Sequence, residues 1–315
     1  MIEATQRKSI VVLSGGTSCE REVSLQSGVA VSQALRHRGH LVSEVDPAIT
    51  PLESLRWSDI RLAFLALHGA GGEDGVPQTF LESRGIPYTG SGPRESQLAF
   101  SKTATKQVLV QAGIPTPPWQ VIDHSQTAQK LHELAGRLGF PLMVKPDQQG
   151  SSLGVSLVSS PESLISACEL AFSLGPLALL EQAIVGDEWT VGLLNDHPLP
   201  PIRIQGFGQV FDFYAKYHSE HISYLFDSDQ GGMSDRVSGV ARAACLAVGT
   251  RGVARVDLMV DSFGRPFVLE INTIPGFTDH SLVPKAAAHV GLTFDALCDW
   301  CVEAALCHFE QRRAA

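Results

Sequence analysis

Arg255-Val256-Asp257-Leu258-Met259-Val260-Asp261, Ser262-Phe263-Gly264-Arg265 and Pro266-Phe267-Val268-Leu269-Glu270-Ile271-Asn272 read as a strand, a turn and a second strand. Both arms alternate with period two, and a four-residue connection containing glycine suits a tight antiparallel turn. Pairing outward from the turn sets Asp261 opposite Pro266, Asp257 opposite Glu270 and Arg255 opposite Asn272. Val256, Leu258, Val260, Phe267, Leu269 and Ile271 then form a core face. Arg255, Asp257, Glu270 and Asn272 gather on the other face, within two neighbouring cross-strand pairs. Opposed carboxylates repel unless a cation lies between them. Mg²⁺ is a hard ion, usually held by one or two carboxylates together with substrate phosphates. A sheet face with scattered solvated charges is the plainer alternative. Only this end of the face is polar, while Met259 and Val268 beside it are apolar, which favours a metal–phosphate site.

Working outward, the chain has 315 residues, 44% hydrophobic and 18% charged, enough for two or three small domains around a shared cleft. A formal net charge of −9 and the lack of a basic run argue against nucleic acid as a partner. An anionic ligand would therefore need local lysines. The polar segment Met1–Lys8 and the short apolar run after it do not make a signal peptide, and no apolar stretch is long enough for a membrane span, so a cytoplasmic protein is expected. The six cysteines are scattered, as in a reducing compartment. Cys298 and Cys301 could be read as a metal or redox pair. They share helical spacing with Phe294, Leu297, Val302, Ala305 and Phe309, and no second pair exists, so a buried helix face is the better reading.

Residues 9–100 alternate strand and helix: strands at Ser9–Ser14, Leu41–Val45, Leu62–Leu67 and Ile86–Thr89, helices at 22–38 and Gln78–Ser83. That order predicts a small parallel sheet with helices on both sides, whose ligands sit beyond the carboxyl ends of the strands. Two glycine-rich loops fall there, Gly15–Glu20 and His68–Gly75. Neither matches the dinucleotide fingerprint or the P-loop lysine motif. One helix is expected from Glu95 to Ala112, then a boundary at the bend Ile114-Pro115-Thr116-Pro117-Pro118. Strands follow at Phe140–Pro146, Val155–Ser159, Ala178–Gln182 and Glu188–Leu193. Between the first two, Asp147-Gln148-Gln149-Gly150-Ser151-Ser152-Leu153-Gly154 can fold over phosphates as a flap, with Lys145 at its base.

In combination these segments resemble the D-alanine–D-alanine ligases of the ATP-grasp superfamily, from Gly15 to about Leu297. The resemblance rests on Gly-Gly-Thr-Ser-x-Glu-Arg-Glu-Val-Ser at 15–24, His-Gly-x-x-Gly-Glu-Asp-Gly at 68–75, Tyr-Thr-Gly-Ser-Gly at 88–92 and Lys-Pro-x-x-x-Gly-Ser-Ser-x-Gly at 145–154. It continues with Ala-Lys-Tyr at 215–217, Arg-x-Asp at 255–257, and Glu-x-Asn-Thr-x-Pro-Gly-x-Thr at 270–278 followed by His280-Ser281-Leu282. Seven such motifs in order are specific. The resemblance implies an α/β and α+β chain: a Rossmann-like N-terminal domain over 1–100, then a two-part ATP-grasp fold with antiparallel sheets, split as 101–190 with the flap and 191–315 with the metal hairpin.

It also implies a reaction. ATP phosphorylates the carboxylate of one D-alanine, and the amine of a second attacks the acyl phosphate, giving D-alanyl-D-alanine, ADP and phosphate for cell-wall precursor synthesis. Lys102 and Lys145 would hold phosphates under the Gly150–Gly154 flap, with Ser151 and Ser152 in the flap and Lys216 near the transferred group. Glu181 and Glu188 match positions that address adenine and ribose. Asp257, Glu270 and Asn272 match the ligands of Mg²⁺ or Mn²⁺, two ions in all. Glu20 would hold the first amino group, with His68 nearby in the substrate set. Arg255 and the Gly276 amide would hold the oxyanion, Ser281 and Leu282 the second carboxylate, and Ser151 and Tyr217 would bond toward Glu20. A homodimer is implied as well. Individually, Lys102 and Glu181 could be solvated charges and His68 a structural histidine.

Some residues depart from the family pattern: Tyr214 before Ala215, Tyr224-Leu225-Phe226-Asp227, and Ala183 near the base. A D-lactate or D-serine acceptor is the alternative within the same chemistry, and Tyr217 speaks for the dipeptide. A nucleotide-binding regulator without catalysis is the alternative from another class, and retention of Arg255 and of all three metal ligands speaks against it.

Overall fold

The computed structural model describes residues 7–205, 223–226 and 232–314. β1 (Ser9–Leu13) leads through the first glycine loop into α1 (Arg21–His37). β2 (Leu41–Val45) and β3 (Leu62–Leu65) flank β1 in a parallel three-stranded sheet of order β2-β1-β3. Ile10, Val12 and Phe64 point to one core, and Val11, Leu13, Ala63 and Leu65 to another. Burial of both faces explains why these strands read as unbroken apolar runs. The strand expected at 86–89 reduces to one parallel bridge, Ala63 with Tyr88. Pro87 offers no N–H, and the chain turns away at Gly90 with φ +88°.

After α2 (Val76–Ser83), the single helix expected over 95–112 is two, α3 (Pro93–Phe100) and α4 (Lys102–Gln111). Ser101 takes an extended conformation between them, and its hydroxyl accepts from the Ala104 N–H as an N-cap. β4 (Trp119–Asp123), α5 (Ala128–Leu138), β5 (Leu142–Pro146), β6 (Ser156–Val158), α6 (Leu164–Phe172) and β7 (Leu177–Gln182) follow. Their strands form an antiparallel four-stranded sheet of order β4-β7-β5-β6. Leu142, Val144, Ala178 and Leu180 face α5 and α6. The two-residue period therefore turns Lys145 and Glu181 to the opposite face.

β8 (Gly186–Leu194), β9 (His197–Pro198), β10 (Ile202–Gln205), β11 (Ser223–Phe226), α7 (Met233–Val248), β12 (Val253–Asp261) and β13 (Pro266–Asn272) build an antiparallel sheet of order β11-β10-β8-β12-β13, with β9 on β8. The β12–β13 hairpin is as expected at Arg255–Asn272 and Asp257–Glu270, but not at the turn. A bulge shifts the register after Asp257, so Leu258 pairs with Val268 and Val260, rather than Asp261, faces Pro266. Val268 consequently lies in the core with Val256, Leu258, Val260 and Ile271, while Phe267 and Leu269 are only partly buried. The extra residue, Leu269, re-aims everything on the turn side of it.

α8 (Leu282–His289) and α9 (Phe294–Ala314) close the chain. Leu297, Cys298, Cys301, Val302 and Ala305 of α9 pack into the core beneath α1 and the parallel sheet. Burial pushes the Cys298 and Cys301 thiols up, as expected of inert core cysteines. Asp299 on the same helix binds Arg38 and His40, at 2.8 Å each. No helix among the described residues is long and apolar enough to cross a membrane.

Candidate active site

Four chain segments that are far apart in sequence meet at one cleft. The first is the loop after β1. Glu20 sits at the N-terminus of α1, and the Ser151 hydroxyl donates to its carboxylate from the flap. A Cβ at Gly150 would lie 2.4 Å from the Glu20 carboxylate, and one at Gly69 only 3.0 Å from it. Glycine at both positions lets two loops close on this acid.

His68 braces the second glycine loop against the segment after β13. Its Nδ1 donates to the Ile274 carbonyl at 3.0 Å, and its Nε2 lies 3.1 Å from the Ser27 hydroxyl. Ser27 in turn accepts from the Phe277 N–H at 3.2 Å. Both ring nitrogens are thus engaged on either side of Gly276, and His68 braces the loop of residues 273–281, called the substrate loop for the role proposed for it below. Glu73 is 3.6 Å from His68, and burial, with the Glu20 charge, pushes its carboxyl up.

The flap starts from Asp147, which pairs with α4 ahead of the glycine and serine run. Its carboxylate accepts from the Thr103 N–H at 2.8 Å and the Ser101 hydroxyl at 2.9 Å, fixing the start of α4. Lys102 therefore lands where its ammonium donates to the Gln149 carbonyl at 2.6 Å and lies 3.6 Å from Glu270. Ser151 and Ser152 are left-handed, at φ +51° and +55°. Such conformations cost about 1 kcal/mol or more each and cluster where loops clamp ligands.

Lys145 and Glu181 form a buried ion pair, and Lys102 is buried too, so neither Glu181 nor Lys102 is a solvated charge. The other oxygen of Glu181 lies 2.5 Å from Lys106, a residue the motif reading missed. Burial alone would raise Glu181, yet Lys145 and Lys106 together hold it below the usual carboxylate range. Lys145 and Lys106 against this one acid, with Lys102 a turn away on α4, leave its neighbourhood cationic despite the chain's net −9. The spacing of Lys102 and Lys106, one helical turn apart, was the available signal for the missing member. Glu188 stands on β8 opposite Ile204 and Met259, just beyond the crossover between the two antiparallel sheets.

On the hairpin, Arg255 donates to both oxygens of Asp257, at 2.9 Å from Nε and 2.8 Å from the terminal nitrogen, and Thr190 donates at 2.7 Å. Glu270 is directly across the strands and Asn272 faces Arg255. Asn272 accepts from the Ile274 N–H at 3.0 Å, which turns the chain into the substrate loop. Two carboxylates and a carboxamide at adjacent positions are an all-oxygen set suited to Mg²⁺, and cations already sit against both acids. Ser281 caps that loop: it accepts from the Thr278 N–H at 3.1 Å, and a Cβ at Gly276 would be 3.0 Å from its hydroxyl. Leu282 opens α8 beside it.

Lys216, Tyr217, Tyr214 and Asp227 lie outside the described residues. Tyr224 and Phe226 are described: they dock β11 on α8, with the Lys285 ammonium 4.2 Å from the Tyr224 ring centre and Phe226 stacked on His289 at 4.1 Å. A cavity of about 320 Å³ lies behind the substrate loop, between Ile274 and the Cys301 side of α9, away from these charged groups.

A family model described as the D-ala D-ala ligase C-terminus matches residues 108–303. The chain is 41% identical to the D-alanine–D-alanine ligase of Actinobacillus succinogenes over 96% of its own length and 99% of that protein. It is 44% identical to D-alanine–D-alanine ligase B of Xanthomonas campestris, covering 91% of this chain and 92% of that one. Among solved structures it resembles the D-alanine–D-alanine ligase from Bacillus anthracis complexed with ATP, with a TM-score of 0.83, 31% identity, and coverage of 97% and 99%. The Coxiella burnetii ligase superposes with a TM-score of 0.84 at 25% identity, covering 98% of this chain and 97% of that one.

Proposed function

The chain belongs to the D-alanine–D-alanine ligase family and is an ATP-dependent ligase that forms the carbon–nitrogen bond of D-alanyl-D-alanine, and we propose that the residues gathered at the cleft divide that work among them. The observation that carries this reading is the convergence of Glu20 with Ser151, of Lys102 and Lys145, and of Arg255, Asp257 and Glu270 from separate segments onto one cleft.

Lys102 and Lys145 hold the phosphates of ATP, with Ser151 and Ser152 bringing the flap over them and Lys216 joining near the transferred group. Glu181 and Glu188 flank the crossover where adenine and ribose bind. Asp257, Glu270 and Asn272 hold Mg²⁺ or Mn²⁺, two ions in the full site, and bound metal neutralises the phosphate charge during transfer. Glu20 binds the ammonium of the first D-alanine and leaves its carboxylate directed at ATP. Ser281 and Leu282 take the carboxylate of the second, next to the N-terminus of α8, so that its amine faces the acyl phosphate. As that amine attacks, negative charge grows on the former carbonyl oxygen, and Arg255 with the Gly276 N–H stabilises it. The flap excludes water from an intermediate prone to hydrolysis.

A three-part organisation, 1–100, 101–190 and 191–315, is supported by the presence of three sheets, although the strand Gly186–Leu194 of the last sheet spans the second boundary. A cytoplasmic location and a homodimer complete the reading, supported by family membership and by six free cysteines. Phosphate release from ATP is the deciding assay. D-alanine should support it and L-alanine should not, and D-serine or D-lactate as second substrate should do so weakly; release independent of any amino acid would refute a ligase.

Two results are expected at the substrate sites. Lys145→Ala should raise the KM for ATP about tenfold or more, as loss of a charge-assisted hydrogen bond does, with the KM for D-alanine nearly unchanged. Equal increases in both would remove Lys145 from the phosphate site. Tyr217→Phe removes a hydroxyl and keeps the ring, so nucleotide binding should persist while dipeptide synthesis falls several-fold. Depsipeptide formed from D-lactate should rise relative to dipeptide, most visibly at low pH, where the competing amine is protonated. Competition between the two acceptors across pH measures it, and an unchanged product ratio would rule out the role of the hydroxyl.

A further inference from the structure

Lys106 is 1% exposed, a placement lysine takes only when it is paired. One turn earlier on α4, Lys102 reaches the cleft; Lys106 lies beneath it, sealed from any ligand. Its ammonium contacts Glu181 at 2.5 Å and donates to the Thr116 hydroxyl at 2.6 Å. That hydroxyl donates at 2.8 Å to the Val268 carbonyl, in the strand that carries Glu270. Lys106 is thus anchored through Thr116 to β13 as well as to Glu181. Glu181 gives one oxygen to each lysine and is itself 1% exposed.

We infer that Lys106 is a positioning residue for ATP: it keeps one oxygen of Glu181 permanently paired, which lets Lys145 leave the other oxygen and follow the phosphates. The inference rests on the reading of Lys145 as a phosphate ligand. When Lys145 moves, the Lys106–Glu181 ion pair that stays behind is neutral overall. Without Lys106, the same movement would strand a buried carboxylate, a large penalty that holds Lys145 in place. Among the described residues, the charged groups facing Glu181 are Lys145 and Lys106, and Lys102 is the next charge beyond them. Removing one of the two cations that keep Glu181 ionised raises the pH at which it protonates. The acid limb of kcat/KM for ATP should therefore move upward.

A double-mutant cycle tests this. KM for ATP and for D-alanine are measured in the wild type, Lys106→Met, Glu181→Gln and the double variant, with Lys145→Ala in parallel. Lys106→Met should raise the KM for ATP about tenfold and leave that for D-alanine within about twofold. In the Glu181→Gln background no charge can be stranded, so the same substitution should change the KM for ATP by less than about threefold. Equal factors in both backgrounds, no effect in either, or an unmoved acid limb would overturn the inference. If Lys145→Ala leaves the KM for ATP unchanged, the phosphate role of Lys145 fails first and the inference falls with it. If Lys106→Met does not fold, Lys106→Gln, which keeps a donor toward Thr116, takes its place in the cycle.

Discussion

Glu270→Gln should reduce ligation by a hundred- to a thousandfold or more, roughly the loss that follows removal of one preorganised electrostatic element, and should leave the metal-free protein as stable as the wild type. The Glu270 side chain is one-third exposed and the Lys102 ammonium lies 3.6 Å away, so the charge contributes little to folding. Asp257→Asn should lose activity to the same extent but behave differently on heating. Asp257 is 4% exposed, doubly bonded by Arg255 and bonded again by Thr190. Neutralising it should cost about 1–3 kcal/mol in metal-free buffer. From opposed carboxylates alone, one would expect both substitutions to relieve repulsion. The Arg255 contact reverses that expectation for Asp257. Melting with and without Mg²⁺, beside activity, measures both parts. Mg²⁺ should raise the wild-type melting temperature and raise that of either variant less. A Glu270→Gln enzyme that ligates normally, or that gains as much stability from Mg²⁺ as the wild type, would remove the metal from this hairpin.

Arg255→Met should lower kcat by about a hundred- to a thousandfold, with the KM for ATP little changed. With the oxyanion role proposed for Arg255, phosphoryl transfer to the first D-alanine should survive better than dipeptide formation. Hydroxylamine trapping of the acyl phosphate separates the steps: trapped product should persist while dipeptide nearly disappears. Arg255→Lys should recover little, because a single ammonium does not replace a planar fork that bonds both oxygens of Asp257. Loss of acyl phosphate in parallel with dipeptide would place Arg255 in the first step instead.

Much of the site was legible because its chemistry is local in sequence. Asp257, Glu270 and Arg255 were brought together by hairpin pairing, which needs only alternation and a turn. The flap was legible from its Gly/Ser content next to Lys145. The misreadings share one cause, a partner far along the chain. The break at Ser101 is held by Asp147, a residue of the flap, so helical periodicity alone ran α3 and α4 together. The bulge at Leu269 keeps the Asp257–Glu270 pair while exchanging Phe267 and Leu269 for Val268 in the core. A counting rule outward from the turn has no term for an inserted residue.

Alternating apolar residues, glycine loops at strand exits and the ordered motifs were sufficient to specify the strands, the family and the kind of reaction. Each depends on neighbours within a few residues, where backbone sterics and side-chain period dominate. Tertiary structure alone decided which charges are paired. Glu181 could be a solvated charge as far as the sequence goes, and is instead 1% exposed against an equally buried Lys106 that no motif marks. His68 became a brace because Ser27 and Ile274 arrive from distant segments, and α9 packs against α1 at the other end of the chain. Burial is set by everything that folds around a residue. It fixes the cost of an unpaired charge, so the electrostatics of this site took form only when its segments met.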